Sequence, residues 1–307
     1  MNISSLFKEA RIIQSDTFKK TLDDSIDLLS REKGKIGNLT ISGHLVKVEP
    51  LGEALVIGDL HGDIDILLYI LKSSKFVEKL VSCKDAILIF LGDYGDRGAF
   101  SAEVYNVILK LKLAFPEQTV LLRGNHEGPN NLIAYPHDLP SQFKARFKRD
   151  WQGIYKKTRD LFDYLYNAVL VEERYLMLHG GLSPEINIPQ DLALAHKMRP
   201  TSKLFGGVLW SDPNDMILNV LDSPRGAGKL FGKNVTESVL EKLKVKILIR
   251  GHEKCEKGFK FNHNYRVLTL FSTKGFPYFN EFGAYLQIPL SVKCKTAKQL
   301  VPWIHKF

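Results

Sequence analysis

Cysteine is scarce in this chain of 307 residues: Cys83, Cys255 and Cys294 stand far apart with no CxxC spacing. That excludes a disulfide framework and a zinc finger, and it leads us to expect a reducing, cytoplasmic setting. Long apolar runs are missing too. No stretch reaches the roughly 18 residues needed to cross a bilayer, and Met1 to Ala10 has no signal-peptide apolar region, so no membrane association is expected. Internal repeats, low-complexity tracts and nucleic-acid-binding motifs are absent. The net charge of +9 is the one bias in composition. Its lysines are spread along the chain, with modest concentrations at 144–157, 242–246 and 293–298. This fits a solvated basic surface or a preference for acidic substrates better than a nucleic-acid partner. With 44% apolar and 25% charged residues, the chain is ordinary for a soluble protein and long enough for one large α/β domain.

Five apolar runs each end on residues that bind metals or handle protons. They close at Asp59 and His61, at Asp93 and Asp96, at Asn125 and His126, at His179, and at Arg250 and His252. Short continuous apolar runs closed by glycine read as buried strands, and layered α/β proteins place ligands beyond the carboxyl ends of such strands. One site can therefore collect all five tips. Four of the nine histidines lie there together with Asp59, Asp93 and Asn125. This mixed oxygen and imidazole set suits Mn, Fe, Zn or Co rather than soft metals, as in a dinuclear metallohydrolase.

Around the tips, residues 1 to about 35 carry apolar positions at helical spacing, and Asn38 to Val48 alternates as a strand or hairpin edge does. Asp63 to Leu80, Ala102 to Leu113 and the aromatic region Pro140 to Tyr166 read as helices. Asn214 to Gly232 reads as a loop delivering Arg225, and Tyr265 to Phe271 and Phe282 to Ile288 as strands. The expected organisation is an N-terminal helical cap and edge strand over 1–50, a catalytic domain over 51–290, and a basic tail over 291–307.

In their order, Gly58-Asp59-Leu60-His61-Gly62, Gly92-Asp93-Tyr94-Gly95-Asp96-Arg97-Gly98, Gly124-Asn125-His126-Glu127, His179-Gly180-Gly181 and Arg250-Gly251-His252 resemble the signature of the phosphoprotein phosphatases. These are metal-dependent protein serine/threonine phosphatases of the metallophosphoesterase superfamily. Trp210-Ser211-Asp212-Pro213 and Arg225-Gly226 resemble the family's later substrate-binding elements. The resemblance spans roughly residues 50 to 288.

It implies a β-sandwich flanked by helices, with the metal site at the strand C-terminal ends. It also implies two divalent ions, manganese first with Fe, Zn or Co as alternatives, about 3.5–4 Å apart. By the family pattern, Asp59, His61 and Asp93 hold one ion, Asp93, Asn125, His179 and His252 hold the other, and a shared hydroxide attacks phosphoprotein monoesters in line. His126 would be the general acid and Asp96 the carboxylate that fixes its ring. Arg97 and Arg225, with Asn125, would bind the phosphoryl group. Glu127 would orient backbone, and Arg250 has no settled role. Asp96 could instead cap a helix and Arg225 could lie on the surface. His44, His137, His196, His263 and His305 belong to no motif and are taken as structural or exposed.

Two departures stand out. Gly95 replaces the family's usual valine, which should loosen local packing. At Leu270 to Ala284 the Ser-Ala-Pro-Asn-Tyr-Cys of the eukaryotic branch is missing and the loop is shorter. Phe276 or Tyr278 then takes the aromatic place beside the site; with Phe276 there, toxins that bind that wall should be resisted. The compact, extension-poor chain looks more like an archaeal or prokaryotic-type member. The competing readings are a bis-nucleoside tetraphosphatase or other metallophosphoesterase, and a non-catalytic binding module using the basic surface.

Overall fold

The computed structural model describes residues 2–197 and 203–307. Two sheets carry the tips. In the smaller, Glu53–Ile57, Ala86–Phe90 and Thr119–Leu121 run parallel, with Ala284–Pro289 and then Ile304–Lys306 added antiparallel beyond Glu53–Ile57. In the eight-stranded sheet, Tyr175–Leu178, Ile247–Arg250 and Val267–Leu270 run parallel to one another. Parallel neighbours end on the same edge, so Asp59, Asp93 and Asn125 leave one sheet where His179 and His252 leave the other. This is the expected α/β architecture of sheets flanked by helices.

Burial follows the period of two set by the pleat. In Ala168–Val171, Val169 and Val171 face the core shared with the smaller sheet. Ala168 and Leu170 face a second core built with Leu192, Phe205, Val208 and Val239 from the covering helices. Both faces of these strands are covered, which is why they read as unbroken apolar runs.

The N-terminal segment forms helices Ile3–Arg11 and Ser15–Arg31. Gly34–Ile36, Leu39–Ser42 and Leu45–Val48 then join the eight-stranded sheet rather than the sheet of the first tip. The helix expected over Asp63 to Leu80 divides into Ile64–Ser74 and Phe76–Ser82 at Lys75, whose φ is +51°. The segment 214–232, read as a loop, contains the paired strands Val220–Asp222 and Lys229–Phe231. The first of these is exposed at all three positions and so lacks the burial alternation that marks a strand. The basic tail packs back: Ala297–Trp303 forms a 3₁₀ helix, and Ile304–Lys306 pairs with Ala284–Leu286. No helix among the described residues is long and apolar enough to cross a membrane.

Candidate active site

Sharp backbone turns aim the side chains. His61, Asp93, Asp96, Arg97 and His252 all have φ between +44° and +72°, a region costly for residues with a Cβ and characteristic of functional turns. Close approach also requires glycine. A Cβ on Gly124 would stand 2.2 Å from Asp93 Oδ1, and one on Gly251 would stand 2.5 Å from Asp59 Oδ1. Glu127 holds the second turn, its carboxylate accepting from Asp93 N at 2.8 Å, Tyr94 N at 3.0 Å, Gly124 N at 3.1 Å and the Tyr105 hydroxyl at 2.7 Å. Its expected orienting role thus has a physical form. Gly95 does not loosen this region, because the Tyr105 ring occupies the space; a Cβ at 95 would lie 2.8 Å from it.

Asp93 sits at the centre. Its Oδ2 is 3.5 Å from His61 Nε2, and its Oδ1 is 3.3 Å from His179 Nε2 while accepting from His126 N at 3.0 Å. The Asn125 amide lies 3.0 Å from His179 Nε2 and 2.9 Å from His252 Nδ1. Asp59 is 3.7 Å from His61 Nε2 through Oδ2, and its Oδ1 accepts from His252 N at 2.9 Å. All these side chains are buried. Two groups have donor atoms within 4.8 Å of one another, His61 with Asp93 and His126, and Asp93 with His179 and His252. Asp93 belongs to both, whereas Asp59 falls in neither.

The donors fit divalent metal ions. His61 Nδ1 faces Gly95 O at 3.1 Å and His179 Nδ1 faces Leu91 O at 3.0 Å; a proton on each Nδ1 leaves the Nε2 lone pair turned toward Asp93. Asp59 Oδ2 and His252 Nε2 are buried without a hydrogen-bond partner, and buried polar atoms are costly when unpaired. Burial and the nearby Asp93 raise the Asp59 pKa, while burial lowers that of His61. A cation would relieve the repulsion between the two carboxylates and favour the neutral imidazole that binds metal.

His126 stands beside this basin. Its Nδ1 is 2.7 Å from Asp96 Oδ2, so the carboxylate fixes the orientation of the ring. Asp96 is more heavily committed than the sequence suggested. The same Oδ2 lies 2.9 Å from His137 Nδ1, and Oδ1 accepts from Asp138 N at 3.0 Å and Leu139 N at 2.7 Å. Asp96 therefore caps a helix, but the distant one at Leu139–Phe147, in addition to holding His126. Burial alone would raise its pKa; hydrogen bonds from His126 and His137 hold it well below the usual carboxylate value. His126 is raised: burial opposes its charge, and Asp93 and Asp96 outweigh that.

His137, which belongs to no sequence motif, joins this hydrogen-bond network, its Nε2 2.9 Å from the Tyr155 hydroxyl. Arg97 and Arg225 line a cavity of about 360 Å³ with His61, Asp93, Asn125 and His126. Arg225 Nε donates to Asp212 Oδ2 at 2.5 Å. Arg250 is fully buried; it donates to Gly180 O, to Glu253 Oε2 at 2.5 Å and to Asp212 Oδ1 at 2.9 Å. It is an anchor, and Asp212 ties it to Arg225. The aromatic wall belongs to Tyr278, whose ring is 5.2 Å from that of His61 and 6.0 Å from the Arg97 guanidinium carbon. Phe276 is 77% exposed and does not line the cavity. The expected toxin resistance loses its basis in a missing hydroxyl.

Comparison with known proteins agrees with this fold. The family model for calcineurin-like phosphoesterases matches residues 53–256. A probable serine/threonine-protein phosphatase of Encephalitozoon cuniculi is 32% identical over 287 residues, covering 92% of this chain and 58% of that protein. The serine/threonine-protein phosphatase 6 catalytic subunit of Caenorhabditis elegans is 31% identical over 245 residues, covering 79% of this chain and 70% of the relative. A Saccharomyces cerevisiae serine/threonine phosphatase structure, described as similar to human phosphatase PP5, superposes with a TM-score of 0.73. It is 22% identical and covers 90% of this chain and 83% of that one, a likeness of fold. The chain belongs to the calcineurin-like metallophosphoesterases and, within them, to the phosphoprotein phosphatase family of serine/threonine phosphatases. These relatives are eukaryotic, so a compact chain does not by itself mark a prokaryotic lineage.

Proposed function

We propose that this chain hydrolyses phosphoserine and phosphothreonine monoesters in proteins, with two divalent ions, manganese foremost, held by Asp59, His61, Asp93, Asn125, His179 and His252. The ions would neutralise phosphoryl charge and lower the pKa of an attacking water. The observation that carries the reading is the His126–Asp96 pair at the basin. A serine or threonine alkoxide is a poor leaving group and needs a proton; His126 supplies it from Nε2 while Asp96 fixes the ring through Nδ1. Arg97 and Arg225, cationic and opening into the same cavity, orient the phosphoryl oxygens together with Asn125. Tyr278 walls the cavity beside His61.

The packed cap over 1–50 and the tail over 291–307 support the catalytic unit at 51–290. Cytoplasmic placement fits three cysteines without a disulfide among them. The test compares turnover of a phosphoserine peptide and of a bis-nucleoside tetraphosphate before and after verified metal removal and manganese return. Loss and recovery with the phosphopeptide is expected. Equal turnover without metal, or exclusive use of the nucleotide, would refute the proposal.

A further inference from the structure

The strands that deliver His179 and His252 have a second end, and it too opens into a basin. A cavity of about 830 Å³ lies where Arg174 enters Tyr175–Leu178, where Lys244 to Lys246 enter Ile247–Arg250, and where Arg266 precedes Val267–Leu270. The run from Lys246 to His252 spans six residues. At about 3.3 Å per residue, the basin lies roughly 20 Å from the metal-ligand tips. It is a separate site.

Its charge is uneven. Six lining side chains are cationic and three are carboxylates. Glu173 sits 3.7 Å from Arg174 Nη1 and 3.6 Å from Lys293 Nζ. Lys244, Lys246, Arg266 and Lys295 form no ion pair among the described residues. Arg174 is 7% exposed and tightly placed, its carbonyl accepting from Lys246 N at 2.9 Å and Ile247 N at 3.2 Å. Its Nη2 has only a long contact, 3.5 Å to Ser291 O. Nε of Arg174 and Nε of Arg266 are buried without any hydrogen-bond partner. The basin therefore carries net positive charge that its own three carboxylates do not offset.

We propose that this basin is a docking site for an acidic peptide segment, with carboxylates of the segment meeting Arg174, Arg266 and the lysine pair. The composition favours peptide over nucleic acid. No aromatic side chain lines the cavity to stack on a base, and Glu237 and Glu241 also line it. The same two carboxylates can accept peptide N–H groups, which alternate with acceptors along an extended segment.

Fluorescence anisotropy with the full chain and a labelled oligoglutamate peptide tests this, with an oligoglutamine peptide and a charge-matched single-stranded oligonucleotide as comparisons. Lys244 and Lys246 are exposed, so Lys244→Glu/Lys246→Glu should fold normally. The double variant should lose roughly tenfold or more in oligoglutamate affinity while hydrolysing an aryl phosphate at the unaltered rate. Binding that is equally tight in the variant, or absent from the wild-type chain, would overturn the proposal. A tighter, equally lysine-dependent complex with the oligonucleotide would replace the peptide with a nucleic acid. These binding readouts stand apart from turnover, so their failure leaves the phosphatase reading intact.

Discussion

His137 shares a single carboxylate oxygen with His126: their Nδ1 atoms lie 2.9 and 2.7 Å from Asp96 Oδ2. With its other nitrogen against the Tyr155 hydroxyl, His137 is a positioning residue for the proposed acid. It acts by fixing where Asp96 points. His137→Phe should keep metal content and lower kcat roughly tenfold or more for alkyl phosphates, with a smaller loss for an aryl phosphate. His137→Gln, which retains a donor, should recover part of it. Equal losses for both classes of leaving group would make the contact merely structural.

His126→Gln and Asp96→Asn should each reduce kcat for poor leaving groups by roughly 10²–10⁴-fold, with metal content nearly unchanged. Metal analysis decides between the proposed roles, because an emptied His126→Gln protein would make that residue a ligand. The two variants should differ in stability. The amide of Asp96→Asn can keep the acceptor for the two backbone N–H groups at the start of Leu139–Phe147 but turns an NH₂ toward the Nδ1 atoms of His126 and His137, so it should cost about 1 kcal/mol or more in denaturant unfolding.

The depressed pKa of Asp96 gives that stability a pH dependence. A carboxylate with a folded pKa below its unfolded value of about 3.9 contributes fully above that value and loses its contribution as pH falls through the folded pKa. The stability gap between wild type and Asp96→Asn should therefore shrink below about pH 4. A gap that widens in acid would contradict the assignment.

Tyr278, rather than Phe276, should govern the cavity wall. Phe276→Ala should change phosphopeptide KM and kcat by less than about twofold, as expected of an exposed ring. Tyr278→Ala removes the ring against His61 and Arg97 and should impair both. No thiol stands in this segment, and Cys255 is 3% exposed with its pKa pushed up to about 12 by burial. Thiol-directed reagents should therefore leave no adduct at the wall, as intact-mass measurement can check.

The N-terminal helices are pinned by a buried cation. Lys112 Nζ donates to Glu32 Oε1 at 2.6 Å, to Pro116 O at 2.9 Å and to Thr119 O at 3.0 Å, and Glu32 also accepts from the Tyr166 hydroxyl. Lys112→Met strands Glu32, whose side chain is 3% exposed, and should cost about 3–5 kcal/mol in denaturant unfolding.

The strand tips were legible because a run such as Ala86–Phe90, buried at every position, must end before it can present Asp93, and glycine marks that end. His137 was not legible. It lies 41 residues from Asp96, on a loop without periodicity, and no local pattern links two side chains that meet only after folding. Arg250 was equally opaque, since its neighbour His252 reaches the basin while Arg250 itself turns to Asp212. The pair Val220–Asp222 and Lys229–Phe231 escaped because the first is exposed throughout and the second, with only Phe231 buried, is too short to show an alternation.

Gly95 and Tyr105 have become mutually dependent. The ring that fills the space above Gly95 is also the one whose hydroxyl braces Glu127, and Glu127 holds the amide of Asp93. Restoring the family's valine at 95 would displace that ring and unsettle Asp93, whereas shrinking Tyr105 alone would leave a void and an unbraced carboxylate. The energetic coupling between the two positions should be large in a double-mutant cycle. Either single change should therefore weaken the support of Asp93 more than the two changes made together.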